Sequence, residues 1–449
     1  MKPISREAYN LFHEGQIVFA EIEKKGIRVD LNYLIKEKES ISNKILKAER
    51  TIWKTKEMRK WKSVSGSKTN IDSNIQLSHL LFKRLKYRPT KETKRGNPAV
   101  DDEVLRKIGT PFTKAILVRR KLLKVKDTYL ERLIREQVDG FFHPTYNLCF
   151  VKTYRSSSDF QNIPVRDPEQ GKPIRSAIIP YLPTDIIGEI DISGAEVSIS
   201  ACYHKDPTML EYILDPTKDM HRDMAAECYL LDPKDVDKET RYYGKNGFVF
   251  PEFYGSYYAQ VAPNLWDASK ELKANGKPMR DHLRSVDIEN LDQFTSHIQE
   301  VEDKFWNETF PVYTQWKKDW YKAYLKRGYF DMLTGFRCSE PMRKNDCINY
   351  PVQGVAFHCL LWGLIQLHRW LAENKMKTKI LGQIHDSIIL NFAPDEVQTV
   401  LRKAKKIFGE EIRKHWKWII IPLCIEVELS PPGKSWNEKA PACITCGSV

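Results

Sequence analysis

Apolar residues recur at helical spacing over residues 1–62 (Leu11, Ile17, Val18, Ile22, then Leu34, Ile41 and Ile45), interrupted by Lys25-Gly26-Ile27-Arg28-Val29-Asp30. This pattern predicts two helices around a short extended turn. Residues 63–74, rich in Ser, Gly and Asn, break it. A helix near 75–85 then runs into Lys83, Arg84, Lys86, Arg88, Lys91, Lys94 and Arg95. A basic run of this kind is ordinarily a solvated face or an exposed loop, and supports phosphate contact only weakly by itself. Residues 101–137 read as helix again, and from Phe141 the texture changes to short strands and turns.

Two later stretches have strand character. Residues 185–191 form an apolar run that ends on Asp191 and is followed by a helix-like SGAEVSISACYH; the sequence KILGQIHDSIILNF within 379–393 reads as a β-hairpin bent at His385-Asp386. Between them, residues 215–345 are mostly helical and rich in aromatics. The pattern therefore predicts an α+β protein: a helical arm, a small sheet, and a large helical insertion separating the two strand segments that carry Asp191 and Asp386.

Composition narrows this picture. The chain has 449 residues, a length that allows about three domains. With 41% hydrophobic and 29% charged residues it is neither a disulfide-stapled miniprotein nor disordered. Lys and Arg number 72 against 59 Asp and Glu, a net charge of +13 that points to a polyanionic partner, most simply nucleic acid, with a basic but passive surface as the alternative. The nine cysteines are an odd number and sit mostly alone in apolar or mixed stretches, as reduced core thiols of a cytoplasmic protein do. The pair Cys443 and Cys446 has no second pair at zinc-finger spacing. No run is apolar enough for a membrane span, and the first residues contain no signal-peptide core.

If the two strand segments lie side by side, Asp191 and Asp386 converge, and two hard carboxylates at close range suit Mg²⁺ ions whose remaining ligands are phosphates. Either Asp alone reads as a turn residue or a helix cap. Arg241 and Lys245, four residues apart, project from one helix face where they could clamp a triphosphate.

At the segment RYYGKNGFVFPEFYG the likeness becomes specific. It resembles the Arg-x3-Lys-x3-Phe-x3-Tyr-Gly helix of family A DNA polymerases, the bacterial DNA polymerase I type. Asp191-Ile-Ser193-Gly-Ala-Glu196 resembles that family's first carboxylate motif, and Gln383-Ile-His385-Asp386 its second. TYRSSSDFQNIPVR at 153–166, Asp219-Met-His221-Arg222 and Asn349-Tyr-Pro-Val-Gln353-Gly354 resemble three further blocks, in the family's order. Lys25 to Asp30 and Ser435-Trp436-Asn437-Glu438 extend the likeness to nearly the whole chain.

The resemblance implies a right-hand polymerase fold with an antiparallel-sheet palm, helical fingers and a helical thumb. The expected division is 1–140 for an N-terminal segment and thumb, the thumb itself from about residue 30; 141–215 for the first part of the palm; 216–345 for the fingers; and 346–449 for the second part of the palm with a C-terminal tail. It implies template-directed addition of dNTPs to a primer 3′-hydroxyl, with Asp191 and Asp386 holding two Mg²⁺ ions and Lys245 serving catalysis. Arg241 and His221 are expected to grip the triphosphate with Lys245, and Glu196 to exclude a 2′-hydroxyl. Phe250, Tyr254 and Arg166 are expected beside the nascent pair, and Arg155, Asn349, Gln353 and His385 along the primer–template. For Arg166 and these last four the alternative is an ordinary polar contact.

Three departures from the family pattern bear on the structure. Lys245 to Tyr254 spans nine residues where the pattern has eight, which predicts a kink or bulge between Asn246 and Pro251 that returns Phe250 and Tyr254 to the nucleotide face. Ser387 stands where the family has an acidic residue, and Ser156 where it has Leu. The likeness also begins at the start of the sequence, so the expectation is a compact, phage-like monomer without nuclease domains. It would act in the cytoplasm of a bacterium or phage-infected host, with any exonuclease, helicase or processivity factor a separate polypeptide. The rivals are a single-subunit RNA polymerase, which Glu196 disfavours, and a non-catalytic nucleic-acid-binding protein.

Overall fold

The computed structural model describes residues 2–164 and 168–442. Arg166, Cys443 and Cys446 therefore lie outside the described residues. Helix α1 (Arg6–Lys25) is capped by Ser5, whose side chain accepts from the Ala8 N–H, and ends at Gly26 with φ +71°. A Cβ there would lie 2.8 Å from His143 Cε1, so both the left-handed backbone and the close approach require glycine. The extended turn follows as Ile27–Arg28, pairing with Phe141–Phe142, and Asp30 caps α2 (Leu31–Lys54). The two-helix pattern is thus realised.

Strand β1 (Ile186–Ile192) leads through Ser193-Gly194 into α3 (Ala195–His204). The helical insertion then includes α4 (Met220–Tyr229), α5 (Lys238–Tyr243) and α6 (Pro311–Arg327). The 30-residue α7 (Lys344–Glu373) returns the chain to the sheet, where β2 (Lys379–Ile384) and β3 (Ser387–Phe392) form the hairpin; β4 (Ile425–Leu429) and β5 (Ala440–Pro441) complete it. The strand order is β2-β3-β1-β4-β5, antiparallel throughout.

Strand alternation divides the sheet into two faces. Ile190, Ile192, Ile388, Leu390, Phe392, Ile425 and Val427 join one core with α1 and α7. Helix α7 is buried over most of its circumference, as expected of a helix apolar on all sides. Residues of opposite parity, Ile187 and Ile389, join a second core with α2 residues Leu34, Ile41 and Ile45. The helices of the insertion enclose a third core rich in aromatics, including Phe248, Phe294, Phe305 and Phe310.

A fourth, distal core (Ile52, Trp61, Leu80, Phe112) closes the helical arm. There Arg119, 8% exposed, ties the helix Pro111–Leu123 to α2 through Glu49 and to the turn at 71–72 through Asp72. The basic run lies on this distal part, and Lys83, Arg84, Lys86, Arg88, Lys94 and Arg95 are exposed. Lys91 is different: it pairs with Asp101 at 2.8 Å and Glu103 at 3.1 Å. The first residues do not belong to the arm, because Lys2–Pro3 pairs with Phe336–Arg337 and α1 packs on α7. Among the described residues no helix is long and apolar enough to cross a membrane.

Candidate active site

The register of β1 and β3 brings the two aspartates together. Ser387 is the direct partner of Asp191, and Ile192 N–H donates to Asp386 O at 3.3 Å. The hairpin bend is only His385-Asp386, with His385 at φ +50°, a left-handed conformation that turns the following carboxylate toward the end of β1. A cleft of about 460 Å³ opens above the pair. It is lined by Asp191, Asp386, Glu196, Lys245, Phe250, Tyr254, Arg155, Asn349, Gln353 and His385, together with Phe253 and Tyr313.

Polar contacts link the walls. Arg155 Nη2 donates to Asp386 Oδ1 at 3.1 Å and Nη1 reaches Glu196 Oε1 at 3.5 Å. The Tyr254 hydroxyl donates to the other Glu196 oxygen, Oε2. Asn349 Nδ2 donates to the Tyr254 carbonyl at 3.3 Å. Ser156, at the position where a Leu is expected, donates to Gln383 Oε1 at 2.7 Å and accepts from Gln161 Nε2 at 2.7 Å, so that departure installs a polar brace behind the hairpin.

The electrostatics are those of a site short of positive charge. Burial, then repulsion from Asp386, Glu189 and Glu426, pushes the Asp191 carboxyl up to about 7. Burial also raises Glu196, against the lowering effect of the Tyr254 hydrogen bond. Among the described residues no three Asp, Glu, His or Cys side chains form a complete metal cage. A half-buried carboxylate pair with open space above it nevertheless fits divalent cations that take the rest of their ligands from phosphates and water.

Lys245 makes no ion pair among the described residues, and its ammonium lies 5.1 Å from the Phe250 ring centroid. The expected bulge is present as a π-helical turn, Gly244–Val249, in which Phe250 N–H bonds to Lys245 O. It begins two residues before the predicted segment and puts Lys245, Phe250 and Tyr254 on one cleft. Pro251 is tolerated at the start of the following short turn, Phe250–Phe253, where an N–H has no helical partner to lose.

Arg241 and His221 stand outside the cleft lining. Arg241 Nε donates to Asp219 Oδ2 at 2.6 Å, and the other oxygen of Asp219 caps α4 from the His221 and Arg222 N–H groups. Burial, then Lys245 and Arg241, lowers His221 to about 4, so it is a neutral imidazole here, and its Nδ1 is buried without a partner.

Sequence reading missed Glu189, Glu426 and Tyr313. The two glutamates share the Asp191 face, which the alternation in IIGEIDI and IEVEL already encodes. Ser387, lacking the expected charge, donates to Glu189 Oε1 at 2.7 Å. Tyr313 reaches the cleft from α6, and no local pattern marks it.

Comparison with known proteins agrees with this geometry. The model of DNA polymerase family A matches residues 36–438, and the chain belongs to that family. It is 27% identical over 438 residues to DNA polymerase I of Chloroflexus aurantiacus, covering 94% of this chain and 42% of that protein. It is 26% identical over 442 residues to the DNA polymerase of Bacillus phage SP01, covering 91% and 44%. The chain thus spans less than half the length of these relatives. The POL domain of Pol1 from M. smegmatis, solved in complex with DNA primer-template and dNTP, superposes with a TM-score of 0.74 at 23% identity, covering 95% of this chain and 70% of that one. The fold is the α+β right hand, with an antiparallel-sheet palm and helical fingers and thumb.

Proposed function

We propose that the chain is a template-directed DNA polymerase that adds dNTPs to a primer 3′-hydroxyl by two-metal phosphoryl transfer. The observation that carries this reading is the β1–β3 register. It sets Asp191 and Asp386 on the floor of a cleft whose walls hold Lys245, Glu196 and Tyr254. Asp191 and Asp386 would hold two Mg²⁺ ions, which when bound activate the 3′-hydroxyl and offset charge developing on the leaving pyrophosphate. Lys245, without an acidic partner among the described residues, would meet a triphosphate, and Arg241 would join it by exchanging Asp219 for phosphate.

Glu196, held between Arg155 and Tyr254, would occupy the space a ribose 2′-hydroxyl needs, which favours dNTP over rNTP. Phe250 and Tyr254 would stack near the nascent pair, with Arg166 close by, and Arg155, Asn349, Gln353 and His385 would follow the primer–template strands. In this reading the thumb is about 30–140, the palm 141–215 with 346–449, and the fingers 216–345. Two of the four apolar cores fit that division, one lying mainly in the fingers and one in the distal thumb, while the other two join the sheet to neighbouring segments, one to α1 and α7 and one to the thumb residues Leu34, Ile41 and Ile45. Exposed Lys and Arg of the distal thumb would track duplex phosphates.

The test is primer extension with Mg²⁺ and four dNTPs, comparing the parent with Asp386→Ala. Template-directed extension that disappears in the variant is expected. An inactive parent on several primer–templates, or a variant as active as the parent, overturns the reading.

A further inference from the structure

The turn that presents Phe250 and Tyr254 is closed by its own backbone at its C-terminal end, where Tyr254 N–H bonds to Phe250 O at 3.0 Å and Ser256 N–H to Pro251 O at 2.9 Å, but its entry is irregular. The π bond from Phe250 N–H to Lys245 O replaces a regular helical bond, and Pro251 supplies no N–H at all. Its rotation must therefore be set by what it packs against. Phe253 packs among Phe305, Trp306, Phe310 and Tyr313, but such ring contacts are broad in angle.

Asn349 holds the far end of the turn through the Tyr254 carbonyl, and the directional contact within the turn itself comes from Glu252. This carboxylate is 2% exposed, sits one residue before Phe253, and accepts from Trp306 Nε1 at 2.9 Å; its other oxygen is buried without a partner. The same indole carries the Lys317 ammonium over its ring, 2.9 Å from the centroid, and Lys317 makes no ion pair among the described residues. Burial raises Glu252 to about 8 and lowers Lys317 to about 7. A polar cluster in an aromatic core is costly compared with a leucine, and one well-attested use of such a cluster is to specify a single geometry. On the far side of Tyr254, Glu302 accepts from Tyr258 N–H and anchors the chain where the next helix begins.

We propose that Glu252 is a positioning residue for nucleotide selection. Through Trp306, with Lys317 on the ring face, it fixes the rotation of the Phe250–Phe253 turn and so holds the Tyr254 hydroxyl on Glu196, beside the sugar of the incoming nucleotide. This inference rests on the polymerase reading.

The readout is the ratio of kcat/KM for dNTP to that for rNTP on one primer–template, which does not depend on the fraction of enzyme folded. Glu252→Leu is expected to lower the ratio about tenfold, equivalent to about 1.4 kcal/mol of discrimination. Glu252→Gln, whose amide oxygen can still accept from the indole, is expected to stay within about threefold of the parent. Trp306→Phe removes the N–H and is expected to resemble Glu252→Leu; it decides the matter if the leucine variant does not fold. A ratio unchanged in Trp306→Phe, or a glutamine variant as impaired as the leucine one, overturns the inference while an active parent leaves the polymerase reading intact. A parent that extends no primer removes both.

Discussion

Asp191 and Ser387 face each other as direct partners across β1 and β3, yet the Ser387 hydroxyl donates not to Asp191 but to Glu189, two residues back on the same strand face. Glu189 also accepts from Trp436 Nε1 at 3.1 Å and from Lys439, which bridges it to Glu428 on β4. Negative charge on this face is therefore distributed over two neighbouring strands, with the half-buried Lys439 as its counter-cation.

That arrangement makes Lys439 important to the palm. Burial pushes Glu189 up, but Lys439 together with the hydrogen bonds from Ser387 and Trp436 outweighs it and holds the carboxyl below its usual value. The pair's contribution is thus present above about pH 4.5 and lost as pH falls through the lower folded value. Lys439→Met strands two carboxylates and is expected to cost roughly 2–4 kcal/mol in urea unfolding at pH 7, with Lys439→Arg recovering most of it. A methionine variant as stable as the parent at pH 7 would show that the bridge contributes nothing net.

Gly244 is expected to be intolerant of even a methyl group. A Cβ there would lie 2.4 Å from His221 O and 2.7 Å from Ala225 Cβ, because the π turn presses directly on α4. Gly244→Ala should force the turn away from α4, costing about 1–3 kcal/mol and displacing Lys245 from the cleft. Steady-state kinetics should show a raised KM for dNTP. An unchanged KM together with unchanged unfolding would mean that α4 yields at no cost.

Most of this architecture was legible in the chain. Apolar runs announced β1, β2 and β3, and the two-residue bend at His385-Asp386 announced the β2–β3 hairpin. Adjacency of β1 and β3 was not legible from local pattern, since register is decided by which faces can be buried together, in this case Ile190 and Ile388 against α7. The extra residue before Tyr254 signalled a bulge, but its start at Gly244 depends on the close approach to α4, a tertiary fact. Likewise His221 reads as a cation in sequence. Burial beside Lys245 and Arg241 makes it neutral.

His358 should make the protein acid-sensitive. It is 0% exposed on α7, and Tyr154 O can only accept, so Nε2 donates to it at 3.1 Å and Nδ1 accepts from Thr334 Oγ1 at 2.6 Å. Burial lowers this imidazole to about 3. The unfolded chain then binds the proton first, so stability is intact above about pH 6.5 and declines as pH falls toward 3, by ~5 kcal/mol at full protonation. His358→Gln keeps a donor and an acceptor without titrating, and unfolding measured at pH 7.5, 6.0 and 5.0 should show a shallower loss than the parent. Parallel pH slopes would exclude His358 as the cause.

Asp206 is expected to reject its own isostere. Completely buried, it accepts through Oδ1 from Thr208 and Met209 N–H and through Oδ2 from Val312 and Tyr313 N–H. One carboxylate thus serves the N-termini of the helix Pro207–Leu214 and of α6, and both helix dipoles favour its charge. In Asp206→Asn one acceptor becomes a donor pointed at two N–H groups, so the loss should be about 3 kcal/mol in urea unfolding. Because Tyr313 belongs to both this junction and the cleft, KM for dNTP should rise as well. Asp206→Ala, which leaves all four donors bare but adds no opposing one, should fare no worse than Asn, and an asparagine variant clearly more stable than alanine would contradict the requirement for an acceptor on both sides.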